Sequence, residues 1–485
     1  MPLILGTNSI KDTGYDVANS VRLNRGDSAN FTRTPSSASN RRTWTWSGWV
    51  KRSGLGNIQT LFDGSDGGYP EIFYFDADDK FLYHHDISGS DYKLISSQVF
   101  RDVSAWMHIV VAKDTTQSTE TNRLKVYVNG SQITMNESAL GYPTQNFEGA
   151  ININDLHIIG NWKTNSYYVD GYLCEVAFID GSQLDATSFG EFDEDSPTIW
   201  KPKDFKDDVT FGTNGFYLDF EDSSALGNDV SGNNNDYTPN NLAAIDSCTD
   251  TCTNNFAVPN ILLQGIDITY TQNNLQIAIG TTGQYGTQSS IGVNAGRWYC
   301  ELKYIATTSA GNDRVMPGIV GNPNKLATYG VAAGGAPNQG SGYIGGGNDT
   351  TSWGYYKDGN IYNNEGTTSY GDTWTLNDII GIYLDCEDNK LYFSKNGVVQ
   401  ASGTGVSITD PASTVSGNYF FGFTDTSSYG GTVQVNFGGA TCYSISSSVS
   451  DDNGYGNFEY SPNITGDGSA KKFYSLNSKN LAEFG

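Results

Sequence analysis

Residues 378–400, Asp378-Ile-Ile-Gly-Ile-Tyr-Leu-Asp-Cys-Glu-Asp-Asn-Lys-Leu-Tyr-Phe-Ser-Lys-Asn-Gly-Val-Val-Gln400, decide the fold. Ile380, Ile382, Leu384 and Cys386 alternate with Gly381, Tyr383 and Asp385, the period of a strand with one buried face. Glu387, Asp388 and Asn389 break the run with turn formers, and Leu391 and Phe393 mark a second inward face. Asn396-Gly397 supplies the two residues tolerant of positive φ that a two-residue hairpin needs. Two hairpins in succession make a meander. Earlier, Trp106-Met-His-Ile-Val-Val is followed by Leu124, Val126 and Val128, which alternate ahead of Asn129-Gly130. The recurrence predicts an all-β chain of two tandem β-sandwiches of related design.

Length and composition agree with that expectation. A chain of 485 residues suits two domains of about 200 residues each. Its 57 glycines and 30 tyrosines point to strands and tight turns. No window sustains a 3.6-residue apolar period, so only one-turn helices are expected, near 184–189 and 478–482. The chain carries 28 basic and 53 acidic residues, a formal charge of −25. Such a surface excludes broad nucleic-acid binding and disfavours adsorption to anionic membrane. No stretch approaches 18 apolar residues, and the first residues lack a basic region and a long apolar core, so neither anchor nor signal peptide is expected. Of six cysteines, those at 174, 300, 386 and 442 lie in strand-like apolar runs, where reduced core thiols are expected. Cys248 and Cys252 lie in polar sequence and are either a small local disulfide or two free thiols.

In order, residues 1–20 read as an N-terminal arm and residues 21–190 as the first sandwich. Residues 191–268 read as a linker with one added strand at Gly215-Phe-Tyr-Leu-Asp-Phe, 269–442 as the second sandwich and 443–485 as a C-terminal tail. In Thr43-Trp-Thr-Trp-Ser-Gly-Trp-Val-Lys, Trp44, Trp46 and Gly48 share one face and Trp49 takes the other.

Residues 44–50, 106–113, 124–130, 159–160 and 171–180 resemble, in order, the laminin-G/concanavalin-A-like lectin family. That resemblance implies a jelly-roll sandwich that often binds glycans at one edge. Gly296-Arg-Trp-Tyr-Cys-Glu, the 378–400 meander and Val435-Asn-Phe-Gly resemble the SPRY domain, which implies a bent sandwich that binds proteins through loops at one end. Residues 14–20, 41–51, 215–241 and 473–485 are similar to large structural proteins of tailed, mainly marine, bacteriophages that join these two sandwiches.

Catalytic chemistry finds little footing. Retaining glycoside hydrolases place two carboxylates on alternate residues of one strand, about 5.5 Å apart. Glu191-Phe-Asp-Glu-Asp195 runs into Ser-Pro without apolar alternation. Asp219 and Glu221 would share a strand face, yet neither stretch has the hydrolase spacing. No Gly-x-Ser-x-Gly elbow stands with its partners, and His84-His85 would point to opposite faces of a strand. The glycine-rich run 340–347 is not followed by the Lys-Ser/Thr that would hold phosphate. No cofactor is implied; calcium, held among Asp63, Asp66, Asp76, Asp78 and Asp79 in turns of the first sandwich, stays an open alternative. In the second domain, Tyr343, Trp353, Tyr355, Tyr356, Tyr362 and Tyr370 crowd around glycine and asparagine. The irregular stretch 322–351 leads into Trp353, so the ligand-binding surface is expected at Tyr343, Asn348, Trp353 and Tyr355.

The expected function is a non-enzymatic virion structural protein, a tail fibre or other capsid or tail appendage. It would be made in the host cytoplasm and carried on the particle surface. Expected partners are other virion proteins and a host-surface glycan or receptor, with no nucleic acid and no membrane insertion, in a homo-oligomer, a trimer being favoured. The alternative is a polysaccharide-degrading tail enzyme.

Overall fold

The computed structural model describes residues 12–66, 69–88, 91–164, 166–265, 267–281, 285–307, 315–328, 342–425 and 430–485. All structural statements concern these residues. Thr13–Thr253 forms one compact unit and Asn254–Gly485 lies in another, and each is built around a sandwich of two β-sheets.

In the first unit, one sheet centres on Met107–Asp114, Thr43–Arg52 and Gly171–Asp180, and the other on Lys80–Asp86, Tyr69–Phe75 and Gln59–Asp66. The tryptophan-rich strand pairs Trp46 with Val111 on one side and Phe178 on the other. Trp44 and Trp46 enter the core between the sheets, as their alternation predicts, and Trp49 takes the other face of the sheet, where it is buried against His108. Gly48 is required there, since a Cβ would meet the Trp46 ring at 2.6 Å. Inside the sandwich the fully buried Glu71 meets Lys113 from the opposite sheet and accepts hydrogen bonds from Tyr83 Oη (2.6 Å) and Ile151 N (2.8 Å). Burial pushes the Glu71 carboxyl up, but Lys113, His85 and the Tyr83 hydroxyl outweigh it and hold the group at about 2.

The residues expected to link the sandwiches instead build onto the first. Phe216–Leu218 pairs with Gly171–Asp180, Thr238–Asn240 with Asn30–Arg33, and Ser247–Cys248 with Ser20–Leu23. Buried ion pairs fasten this addition: Lys51 to Asp250 at 2.6 Å and Arg22 to Asp246 at 2.9 Å. The stretch looked like linker because Asx turns and side-chain-to-backbone bonds hold it, as where Asp229 accepts from the amides of Tyr217, Ser231 and Asn235. Of the expected arm, residues 1–11 lie outside the described residues. Residues 13–19 pack against the unit, with Val17 N donating to Thr253 Oγ1 and Tyr15 Oη to Glu175.

The second unit begins earlier than expected, with strand Pro259–Gln264. The meander stands where the sequence put it, in strands Ile379–Asp385, Lys390–Lys395 and Val398–Val399, with Asn396 and Gly397 both at positive φ. Ile380, Ile382 and Leu384 face a core shared with Trp298, Cys300, Val433 and Val435.

The other face of the meander is buried too, which corrects the single buried face expected from its alternation. Tyr299, Tyr383 and Tyr392 lie under Phe458, Ile464 and Phe473 of the presumed tail. Tyrosine counts as polar in a two-state pattern, but here its ring packs and its hydroxyl finds a partner: Tyr383 Oη donates to Ser461 O and Tyr392 Oη to Asp467. The fully buried Glu301 ties the tail down, accepting from Tyr443 Oη (2.8 Å), Tyr460 N (2.8 Å) and Glu459 N (3.1 Å). Lys471 adds an ion pair to Asp385 at 3.0 Å. The chain ends in helix Ser478–Phe484, capped by the Asn477 side chain. A 3₁₀ turn at Ala186–Ser188 is the other short helix the sequence predicted, and Lys325–Thr328 was not foreseen.

Candidate functional site

The structure separates the four expected binding residues. Trp353 and Tyr355 lie on strand Ser352–Tyr355 and point into the core, at 5% and 0% exposure. The Tyr355 hydroxyl donates to Asp372 O at 2.5 Å, and its ring packs against Phe393. They are packing residues of an alternating strand, not outward anchors, because the strand begins immediately after the glycine-rich turns. Tyr343 is half-buried against a small satellite core, and only Asn348 is exposed. Part of the stretch 322–351, residues 329–341, lies outside the described residues. The remainder is pinned down: Lys325 Nζ donates to Gly346 O (2.5 Å) and to Asp349 (2.8 Å), and Ile344 is fully buried.

A cleft of about 490 Å³ opens beside Trp353, between edge strand Gly366–Ser369 of one sheet and residues 401–407 at the edge of the other. Its apolar lining is Trp353, Ile361, Tyr370 and Val406, and its polar lining is hydroxyl and amide: Asn363, Thr367, Thr368, Ser369, Thr404 and Ser407. None of the lining residues carries a charge, in a chain with 53 acidic and 28 basic residues. Tyr370 is held by edge-on contacts with Tyr355 and Phe393, and its hydroxyl accepts from Phe393 N at 3.3 Å. Val406–Ser407 pairs with Lys390–Lys395, so the meander itself sets one wall. The sequence had flagged Tyr370 among the aromatics. The run Gly366-Thr-Thr-Ser, four exposed residues ahead of that tyrosine, was the signal for the rest.

The chemically suggestive clusters elsewhere are committed to structure. Ser47 Oγ lies 2.8 Å from His108 Nε2, and Trp200 Nε1 donates to His108 Nδ1 at 3.1 Å. An indole N–H can only donate, so Nδ1 is the acceptor and the ring proton sits on Nε2, facing Ser47. The ring therefore gives a hydrogen bond to the serine and cannot take its proton, and burial pushes its pKa down to about 3. Glu175 sits on a bulge in Gly171–Asp180 at φ 52, accepting from Tyr217 Oη (2.6 Å) and Tyr15 Oη (3.1 Å). Burial raises its carboxyl to about 7. Asp219 and Glu221 do not share a strand face, because strand Phe216–Leu218 ends before them and Phe220 turns to φ 60. Asp193 pairs with Lys201 at 3.1 Å.

Of the five aspartates in the calcium alternative, Asp63 and Asp79 are engaged by the protein itself, Asp76 accepts from the amides of Asp78 and Lys80, and the Asp66 side chain lies outside the described residues. Asp63 is buried on a strand, raised to about 6 by burial, and accepts from Ser65 Oγ and Lys163 N. Asp79 is bound by Arg52 and Arg101. No group of three or more His, Cys, Asp or Glu among the described residues could hold a metal ion. All six cysteines are thiols, and Cys248 lies buried on a strand, so no disulfide joins it to Cys252. Among the described residues no helix is long and apolar enough to cross a membrane.

A family model described as the SPRY domain matches residues 278–439, and one described as the concanavalin A-like lectin/glucanases superfamily matches residues 25–186. Comparison with curated proteins returned no match. Among solved structures, the SPRY domain of human HERC1 is 18% identical over 36% of this chain and 96% of that one, with a TM-score of 0.26. A native heptameric SAP-like pentraxin from Limulus polyphemus is 14% identical over 35% of this chain and 79% of that one, with a TM-score of 0.27. A putative carbohydrate binding protein from Bacteroides ovatus is 14% identical over 34% of this chain and 44% of that one, at 0.25. The chain thus joins a concanavalin A-like, lectin-type sandwich to a SPRY-type binding domain.

Proposed function

We propose that this chain is a non-enzymatic structural protein of a tailed-phage virion, a tail fibre or other appendage, that binds host-surface glycan or receptor or neighbouring virion proteins. The observation that supports the reading is where the phage-like stretches fall. Residues 14–20, 215–241 and 473–485 lie outside both family models, and they are the parts that finish each sandwich: the added strands of the first unit and the helix-tipped covering of the second. Such dressing suits a protein that must persist outside a cell. Binding is left to loops and to the uncharged cleft of the second sandwich. Several copies, most simply a trimer, would turn weak single-site contacts into firm attachment.

The test is peptide mass spectrometry of purified particles, coupled to a density map of the virion. Recovery of the chain as a stoichiometric component supports the reading, and its absence from particles removes it. Release of reducing ends from host polysaccharide by the purified protein would replace it with the tail-enzyme alternative.

A further inference from the structure

We infer that the cleft between the two sheet edges of the second sandwich is a binding site for a short, uncharged oligosaccharide. The inference rests on the reading of the chain as a non-enzymatic binding protein and names the ligand of that cleft. Its volume, about 490 Å³, falls within the roughly 300–1,000 Å³ of sites that take small organic ligands.

The lining chooses among ligand classes. An ionic ligand, whether sulfated or uronic-acid glycan, phosphate or charged peptide, needs a counter-charge or a nest of amide donors, and no lining side chain is charged. A hydroxyl donates and accepts, as do the hydroxyls of a neutral sugar, so Thr367, Thr368, Ser369 and Thr404 can pair with vicinal diols in either sense, while Ser407 Oγ, which accepts from Lys390 Nζ at 3.1 Å, has its own hydrogen to give. The amide of Asn363, whose Nδ2 donates to Ser352 O at 2.8 Å, is held in place and offers its oxygen and its second N–H. Between these polar walls the half-buried Tyr370, with the small accessible margins of Trp353 and Ile361, each 5% exposed, offers an apolar patch for the C–H face of a pyranose ring. A peptide adding to the edge strand is the competing occupant. Gly366–Ser369 is only four residues long, which leaves an added strand about two backbone pairs to make. Tyr370 is braced by Tyr355 and Phe393, so the apolar patch is ordered before any ligand arrives.

The experiment uses the full chain in saturation-transfer NMR. Probes are maltohexaose, cellohexaose, laminarihexaose and xylohexaose, with polygalacturonate and an uncharged peptide library as controls. At least one neutral hexaose is expected to bind, with an affinity unchanged between about 0.05 and about 0.5 M salt. Thr368 and Thr404 are exposed, so Thr368→Arg with Thr404→Arg should leave the melting temperature in place and weaken that binding at least about tenfold. Binding of none of the four hexaoses, preference for polygalacturonate or peptide, or undiminished binding by the double variant would each overturn the inference. None of those outcomes touches the virion assignment, which the particle analysis decides separately.

Discussion

Glu71 and Lys113 meet between the sheets of the first sandwich with no exposure on either side chain, and removal of one strands the other. Glu71→Ala is expected to cost about 3–5 kcal/mol in urea unfolding of the full chain. The folded carboxyl sits near 2, below the value near 4.5 expected when unfolded. The carboxyl's contribution is therefore complete above pH of about 4.5 and fades as pH falls toward about 2. Glu175 has the opposite sign. Its folded value of about 7 lies above 4.5, so its contribution is complete below pH of about 4.5 and lost as pH rises through about 7. Glu175→Gln should match the parent's melting temperature at pH of about 4 and exceed it increasingly up to about 7.5; a constant difference across that window would refute the assignment.

At the scale of elements, alternation exposed the inward faces and turn chemistry exposed the hairpins, so Trp44, Trp46, Ile382 and Asn396-Gly397 are where the sequence put them. The coverings were not legible in the same way. They attach through tyrosine rings, Asx turns and single buried carboxylates such as Glu301, none of which leaves a period in the sequence. Trp353 and Tyr355 misled for a related reason: an aromatic beside glycines signals a binding loop and a strand start equally well, and only burial separates the two. Truncation after Thr441 would bare Tyr299, Tyr383 and Tyr392 together and strip Glu301 of Tyr443 and the Glu459 and Tyr460 amides. The truncated chain should lose its second-unit melting transition or precipitate. A soluble product with an unchanged transition would show that the covering is dispensable.

For the whole molecule, a charge of −25 acts at a distance where the uncharged cleft does not. On the proposed host-attachment role, approach to an anionic bacterial envelope should be opposed at low salt, and raising ionic strength should speed association with immobilised cells while leaving dissociation unchanged. Surface plasmon resonance on captured envelope fragments separates the two rates, and salt-dependent dissociation would place charged groups in the contact.

The cleft has one wall on each sheet of its sandwich. An occupant that touches both Thr368 and Thr404 therefore acts as a clasp across the open seam of the sandwich. By mass action, a ligand at one hundred times its dissociation constant would add about 2.7 kcal/mol to the folded state. The added protection would reach amides on both margins, including residues the ligand never touches, so hydrogen exchange could reveal an occupant before any density does.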